Sequence, residues 1–353
     1  MLLTVSTVLD SRANVEHFVR SNLAMGIDHM VVFLDGPGAP GQREVRDWLE
    51  TVPQVTAVPC DRSWWNGERP RSLNVRQRAN ANIVASILAD QPWATWVFHL
   101  DGDEVFAGDR AVLETVPQET GAVWLTPLEA VSQLEPQGWP TRFKRLLEPD
   151  DLHLLEVLGM LSEPANRDYF HGHVKGKSGV RPSSGLRLTL HEAVHPDGQV
   201  APRAEDPALA VLHYDAISGE EFIRKWTAML GAGPAQYRQN RATVADALRA
   251  LVGKDLSPEA ARRYLLRIYE TTTQDDVATL DELGLLVHRD PTQGTHRPEP
   301  LGAEQQGVLA DGLARMAREP KRHFSIAAHA PRPPEPAPRW WERAGRRRDR
   351  DRG

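Results

Sequence analysis

The chain has 353 residues, 41% of them hydrophobic and 25% charged, with a formal net charge of -6. This balance suits one large or two ordinary globular domains and argues against a nucleic-acid partner, whose phosphates call for a surplus of Lys and Arg. Cys60 is the single cysteine, so no intramolecular disulfide forms and a reducing, cytoplasmic setting fits. The apolar start Met1 to Leu9 is interrupted at once by Asp10 and Arg12, too soon for a signal-peptide core. No run approaches the roughly 18–20 apolar residues that span a bilayer.

In chain order, short apolar or β-branched runs alternate with amphipathic stretches up to about residue 127, the pattern of βαβ units around a mostly parallel sheet. Strands are expected at Leu2–Leu9, His29–Leu34, Val55–Val58, Thr95–Leu100 and Ala122–Thr126. Helices are expected near Asn14–Met25, Gln42–Thr51 and Leu73–Asp90. The last of these puts Ala79, Ile83, Val84, Ile87 and Leu88 on one face and Arg76, Gln77, Asn80 and Asn82 elsewhere, so one side packs on the sheet. Asp35, Asp61 and Asp101 follow strands and should gather along the carboxyl edge, where open α/β sheets bind ligands.

From Glu129 to about Pro207 the text loosens into a polar stretch rich in Gly, Pro, His and Lys, broken by the strand-like Leu186–Leu190. It reads as an acceptor-side insertion. Leu209–His213 is a last apolar strand, and Ser218-Gly-Glu-Glu221 offers a capping box to the helix that follows. Residues 240 to 290 read as largely helical. Three units result: a sheet domain over 1–230, a helical region over 231–325, and a Pro/Arg-rich flexible tail over 326–353. In the tail, seven arginines oppose three acids between Arg339 and Arg352, beside Trp340-Trp341. That composition fits either peripheral contact at the inner face of a membrane or a disordered solubilising segment.

Asp101-Gly102-Asp103-Glu104 carries the densest chemistry. Two carboxylates one residue apart beyond a buried strand can reach a hard cation, Mn²⁺ or Mg²⁺, which in turn neutralises charge on a diphosphate. Solvated turn residues are the plainer reading of the same text. Lys175, Lys177 and Arg181 form a basic cluster in a Gly-rich stretch that suits a loop clamping a diphosphate, or merely a solvated loop.

The chain resembles family 2-type glycosyltransferases of the GT-A fold. The residues that carry the resemblance are Val15-Glu-His-Phe18 with Leu23 to His29, Phe98 to Phe106, Lys175 to Pro182 with His191, and Leu212-His-Tyr214 before Ser218 to Phe222 and Lys225. It covers residues 1 to about 230. It implies a GT-A-like nucleotide-diphospho-sugar transferase that moves a sugar, with inversion, from a nucleotide-sugar donor to a saccharide or lipid-linked acceptor. It further implies a metal on Asp101, Asp103 and His213, with Arg12, Asp35, Asp61, Asp101, Lys175, Lys177 and Arg181 around the donor. The general base would be Glu129, at the end of the strand Ala122–Thr126, with Glu163 and Asp168 as alternatives.

Two rival enzymes remain open. His171, His173, His191 and His195 could hold zinc or iron in a hydrolase or oxygenase. A nucleotidyltransferase also uses paired carboxylates, but Leu9-Asp-Ser-Arg-Ala13 lacks the glycine of its usual phosphate loop. A non-catalytic sugar-binding protein on a transferase fold is the third alternative.

Overall fold

The computed structural model describes residues 1–231 and 239–326, so the tail with its arginines and Trp340-Trp341 lies outside the described residues. Its elements in order are β1 (Leu2–Val8), α1 (Arg12–Ala24), β2 (His29–Leu34), α2 (Gln42–Leu49), β3 (Val55–Pro59), α3 (Leu73–Ile87), β4 (Trp96–His99), β5 (Glu104–Phe106), α4 (Arg110–Thr115) and β6 (Ala122–Ala130). Then come β7 (Arg142–Lys144), α5 (Pro149–Val157), α6 (Asn166–Tyr169), β8 (Lys177–Val180), β9 (Arg187–Leu188), β10 (Ala193–Val194) and β11 (Ala204–His213). The chain continues with α7 (Gly219–Gly231), α8 (Gln239–Val252), α9 (Pro258–Thr272), α10 (Val277–Glu282), β12 (Leu286–His288) and α11 (Ala303–Ala317).

The architecture is α/β, as the alternation of elements predicts. β1 sits between β2 and β4 and is parallel to both, and β3 extends the parallel set beyond β2. Every residue of β1 is buried, which is why it reads as a continuous apolar run. Its period of two still sorts the core. Leu3 and Val5 face α3 with Val31, Phe33, Ile83 and Val84, whereas Leu2 and Val8 face α1 with Met30, Val32, Phe18 and Val19. Truncating Phe33 to Ala would cost about 3–5 kcal/mol.

The stretch read as a loose insertion supplies the other half of the sheet. β8 lies antiparallel between β4 and β6, and β11 runs parallel to β6 on its far side. β5 pairs antiparallel with β11, bringing Glu104 opposite His213. Lys177 to Arg181 is therefore not a clamping loop but a central strand with its flank. Its glycines explain the misreading. A Cβ on Gly176 would stand 1.9 Å from the Leu125 carbonyl oxygen, and one on Gly179 would stand 2.3 Å from the Phe98 ring. These glycines allow neighbouring elements to approach; they do not loosen the chain.

α3 departs from its expected two-faced character, because Arg76, Gln77, Asn80 and Asn82 are buried along with its apolar residues. Asn82 donates to the Leu188 and Phe324 carbonyls, and Gly312 of α11 packs on Ile87. Returning C-terminal chain thus covers the second face of α3, and β12 joins the sheet at β7. At α7, Ser218 Oγ accepts from the Glu221 backbone N–H at 3.2 Å, one half of the expected capping box. No helix among the described residues is long and apolar enough to cross a membrane.

Candidate active site

Parallel pairing brings the carboxyl ends of β1, β2, β4, β6 and β11 to one edge, and antiparallel β8 begins there. The residues just beyond those ends, among them Asp10, Asp35, Asp101, Asp103, His213 and Asp215, line a cleft of ≈ 770 Å³. Two kinds of carboxylate share this edge.

The inner group is closed. Lys177, fully buried, reaches Asp101 Oδ2 at 2.7 Å and Glu104 Oε2 at 3.0 Å. Gln77 of α3 donates to Asp101 Oδ1 at 2.6 Å. Burial by itself would raise the Asp101 pKa, but Lys177 with His99 and His173 outweighs it and holds the carboxyl below its ordinary value. Burial likewise works against the Lys177 ammonium, yet Asp101 and Glu104 push its pKa above the usual lysine value. Both are charged, and the pair is structural.

The outer group is open. Asp103, His213 and Asp215 offer one carboxylate oxygen, one imidazole nitrogen and a second carboxylate oxygen, all within 4.8 Å of one another. Lys225 of α7 stands 2.5 Å from Asp103 Oδ2 and 3.5 Å from Asp215 Oδ1, which offsets the repulsion between the two acids. An O,N,O set of this kind suits Mn²⁺ better than Mg²⁺, which prefers oxygen ligands alone. The expected trio of Asp101, Asp103 and His213 is thereby corrected in one member: Asp215 stands where Asp101 was expected, because Lys177 and Gln77 engage both Asp101 oxygens.

The other expected residues scatter. Asp35 borders the cleft but is gripped by Arg76 at both oxygens, 2.8 and 2.6 Å, and by Arg69 at 2.8 Å. Its carboxylate is therefore engaged in ion pairs, with exposed Arg71 beside them. Asp61 is exposed and caps its own turn, accepting from Ser63 and Trp64 N–H. Arg12 pairs with Glu16 and lies over Trp48. Arg181 holds the Val116 and Thr120 carbonyls and lies over Trp96. Exposed Lys175 does not line the cleft.

Glu129 is also corrected. Buried at 1% exposure, it accepts the His171 and Gly172 backbone N–H groups at 2.7 and 2.6 Å and the Lys144 ammonium at 2.9 Å. A carboxylate so engaged is a bracket for the 171–173 turn, not a base facing the cleft. Of the two alternatives, Asp168 caps the turn at Ser162 and Glu163, and Glu163 pairs with Arg167.

The four histidines divide. His171 bonds Asp275 at 3.0 Å, and His195 lies exposed on the β10 side. His173 and His191 border the cleft, with His173 stacked on His213 at 4.7 Å between ring centroids. Burial, reinforced by the neighbouring histidines and Lys177, lowers the His173 pKa to about 2 and keeps the imidazole neutral. Glu104 Oε1, His173 Nδ1 and His213 Nδ1 are buried without a hydrogen-bond partner among the described residues, a cost of about 1–3 kcal/mol each unless something fills it. Sequence reasoning missed Gln77, Glu104, Asp215 and Lys225 as site residues; only Glu104, inside the acidic motif, and Lys225, in the last block of the resemblance, carried a signal.

No family model and no curated protein matches this sequence. Among solved structures, it is similar to one titled as a glucose-1-phosphate thymidylyltransferase from Bacillus anthracis in complex with sucrose, at 11% identity over 68% of this chain and 98% of that one, with a TM-score of 0.32. It is also similar to a 4-diphosphocytidyl-2C-methyl-D-erythritol synthase from Anaerococcus prevotii, at 11% identity over 52% of this chain and 70% of that one, with a TM-score of 0.25. Likenesses this distant carry no activity or substrate to the present chain.

Proposed function

We propose that the protein is a glycosyltransferase that binds a nucleoside diphosphate sugar in the cleft and passes the sugar to a hydroxyl of a saccharide or lipid-linked acceptor. The observation that carries this reading is the Asp103, His213 and Asp215 set at the carboxyl edge of a parallel sheet, opening on a cleft large enough for a nucleotide. Mn²⁺ or Mg²⁺ held there would neutralise charge on the diphosphate leaving group. Asp103 and Asp215 supply its anionic ligands and His213 a neutral one. Lys177 and Gln77 fix Asp101 as the rigid inner wall, while exposed Arg71, beside the neutral Asp35–Arg76 pair, gives the opposite wall its positive charge. The 9–13 segment, which lacks glycine, turns into α1 through the Ser11 cap; this favours glycosyl over nucleotidyl transfer.

The test is thermal unfolding of the full chain with a panel of nucleotide sugars, with and without Mn²⁺. The matching donor is expected to stabilise the protein by about 2.7 kcal/mol at a hundredfold excess over its Kd, and only with metal. Asp103→Asn and Asp215→Asn should abolish that gain while the unliganded melting temperature shifts little. Turnover should release nucleoside diphosphate; release of pyrophosphate from a nucleoside triphosphate supplied with a sugar 1-phosphate would assign nucleotidyl transfer instead. Absence of any metal-dependent stabilisation across the panel overturns the reading.

A further inference from the structure

Behind the outer carboxylates lies a second group of metal-ligating side chains, which the proposed donor chemistry does not use. Glu104 opens β5 directly opposite His213 at the end of β11. The turn bracketed by Glu129 brings His173 in beside them, and Gly172 makes the approach possible, since a Cβ there would stand 2.6 Å from His213 Cε1. Glu104, His173 and His213 each offer one ligand atom, all within 4.8 Å of one another.

Three features point to a cation. Lys177 and the Asp101 N–H take only Oε2 of Glu104, at 3.0 and 2.8 Å, which leaves Oε1 in a residue at 0% exposure without a partner among the described residues. His213, at 6% exposure, likewise has a buried ring nitrogen without one. His173 Nε2 stands 3.6 Å from Glu104 Oε1. That is too long for a hydrogen bond and close to the roughly 3.3 Å separating two ligands of a tetrahedral ion with bonds of about 2.0–2.1 Å.

We propose that Glu104, His173 and His213 form an inner cation seat selective for Zn²⁺, distinct from the oxygen-rich outer seat. Two imidazoles and one carboxylate, with a fourth position open toward the cleft, are a donor set that zinc accepts in tetrahedral geometry, whereas Mg²⁺ demands oxygen ligands. The three atoms, within 4.8 Å of one another, must draw together toward the roughly 3.3 Å that separates ligands of one tetrahedral ion. His213 is common to both groups, its Nε2 lying 3.9 Å from Asp103 Oδ2 and its Nδ1 buried without a partner among the described residues. The zinc seat stands without the glycosyl-transfer reading.

Calorimetric titration of the chelator-treated full chain with Zn²⁺ alone, and no nucleotide, tests the seat. The wild type is expected to bind one Zn²⁺ per chain. His173→Ala should weaken binding by more than the ~10–100-fold that loss of an outer hydrogen-bond partner causes. His173→Cys, which restores a ligand, should recover it, and Asp215→Asn should leave it in place. Circular dichroism confirms that each variant is folded, and Co²⁺ in place of Zn²⁺ reports tetrahedral geometry through its visible absorption. Failure of the wild type to bind Zn²⁺ overturns the seat. So does affinity within a few-fold of wild type in folded His173→Ala, or a greater loss in Asp215→Asn than in His173→Ala. A protein that binds Zn²⁺ as described yet gains no stability from nucleotide sugars would refute the donor reading and leave the seat intact.

Discussion

Asp101 and Asp103 stand two residues apart at the end of one strand, yet they are held by lysines in different surroundings. Both border the cleft, at 28% and 27% side-chain exposure, but Asp101 is locked with Glu104 to a lysine at 0% exposure, whereas Asp103 shares with Asp215 a lysine at 20%. A buried ion cannot be abandoned by its partner without a large desolvation penalty, while a solvated ion exchanges partners cheaply. The lysine beneath Asp101 is thus fixed in place, whereas the one beside Asp103 can exchange partners.

Substituting the two lysines measures this difference directly. Lys177→Met leaves the fully buried Glu104 and the part-exposed Asp101 without their cation and should lower stability by about 3–5 kcal/mol in denaturant titration. Lys225→Met removes the partner of solvent-accessible acids and should cost no more than about 1 kcal/mol. Equal losses in the two variants would erase the distinction between closed and open halves. A smaller but still clear effect is expected from Gly176→Ala, which forces a Cβ toward the Leu125 carbonyl and should cost about 1–3 kcal/mol through overpacking. A mobile loop would accept that alanine with little change, so the same titration separates strand from loop.

What the sequence revealed follows the same division. The parallel half was legible because β1, β2 and β4 bury both faces and read as apolar runs between amphipathic helices. Asp103 and His213 could be singled out as candidates because each follows or ends such a run. β8 was not, since Lys177-Ser-Gly-Val180 shows no apolar alternation: its first residue is buried by pairing with acids, and its glycine by contact with Phe98. The polar face of α3 looked solvated because its covers, Leu188, Phe324 and α11, lie more than 100 residues further along the chain. Asp215 sits in a segment with no pattern of its own and acquires meaning only where the sheet gathers it, whereas His173 stands out in the sequence with His171, His191 and His195.

A second closed network, at the far end of β6, gives the mildest test of the comparison. Asp275 accepts from Lys144 at 3.1 Å, His171 at 3.0 Å and the Ser132 N–H at 2.7 Å. Burial would raise its pKa, but Lys144 and His171 prevail and hold it at about 2. The unfolded chain, with Asp near 3.9, binds more protons than the folded one between those values, so stability rises with pH there. Asp275 accordingly contributes about 2 kcal/mol above pH ~4, and this is lost as the pH falls through about 2. Denaturant titrations of wild type and Asp275→Asn across that window should converge toward the acid end. A difference that stays constant with pH would mean that Asp275 acts through packing alone, and that this network, unlike the one around Lys177, is not held by charge.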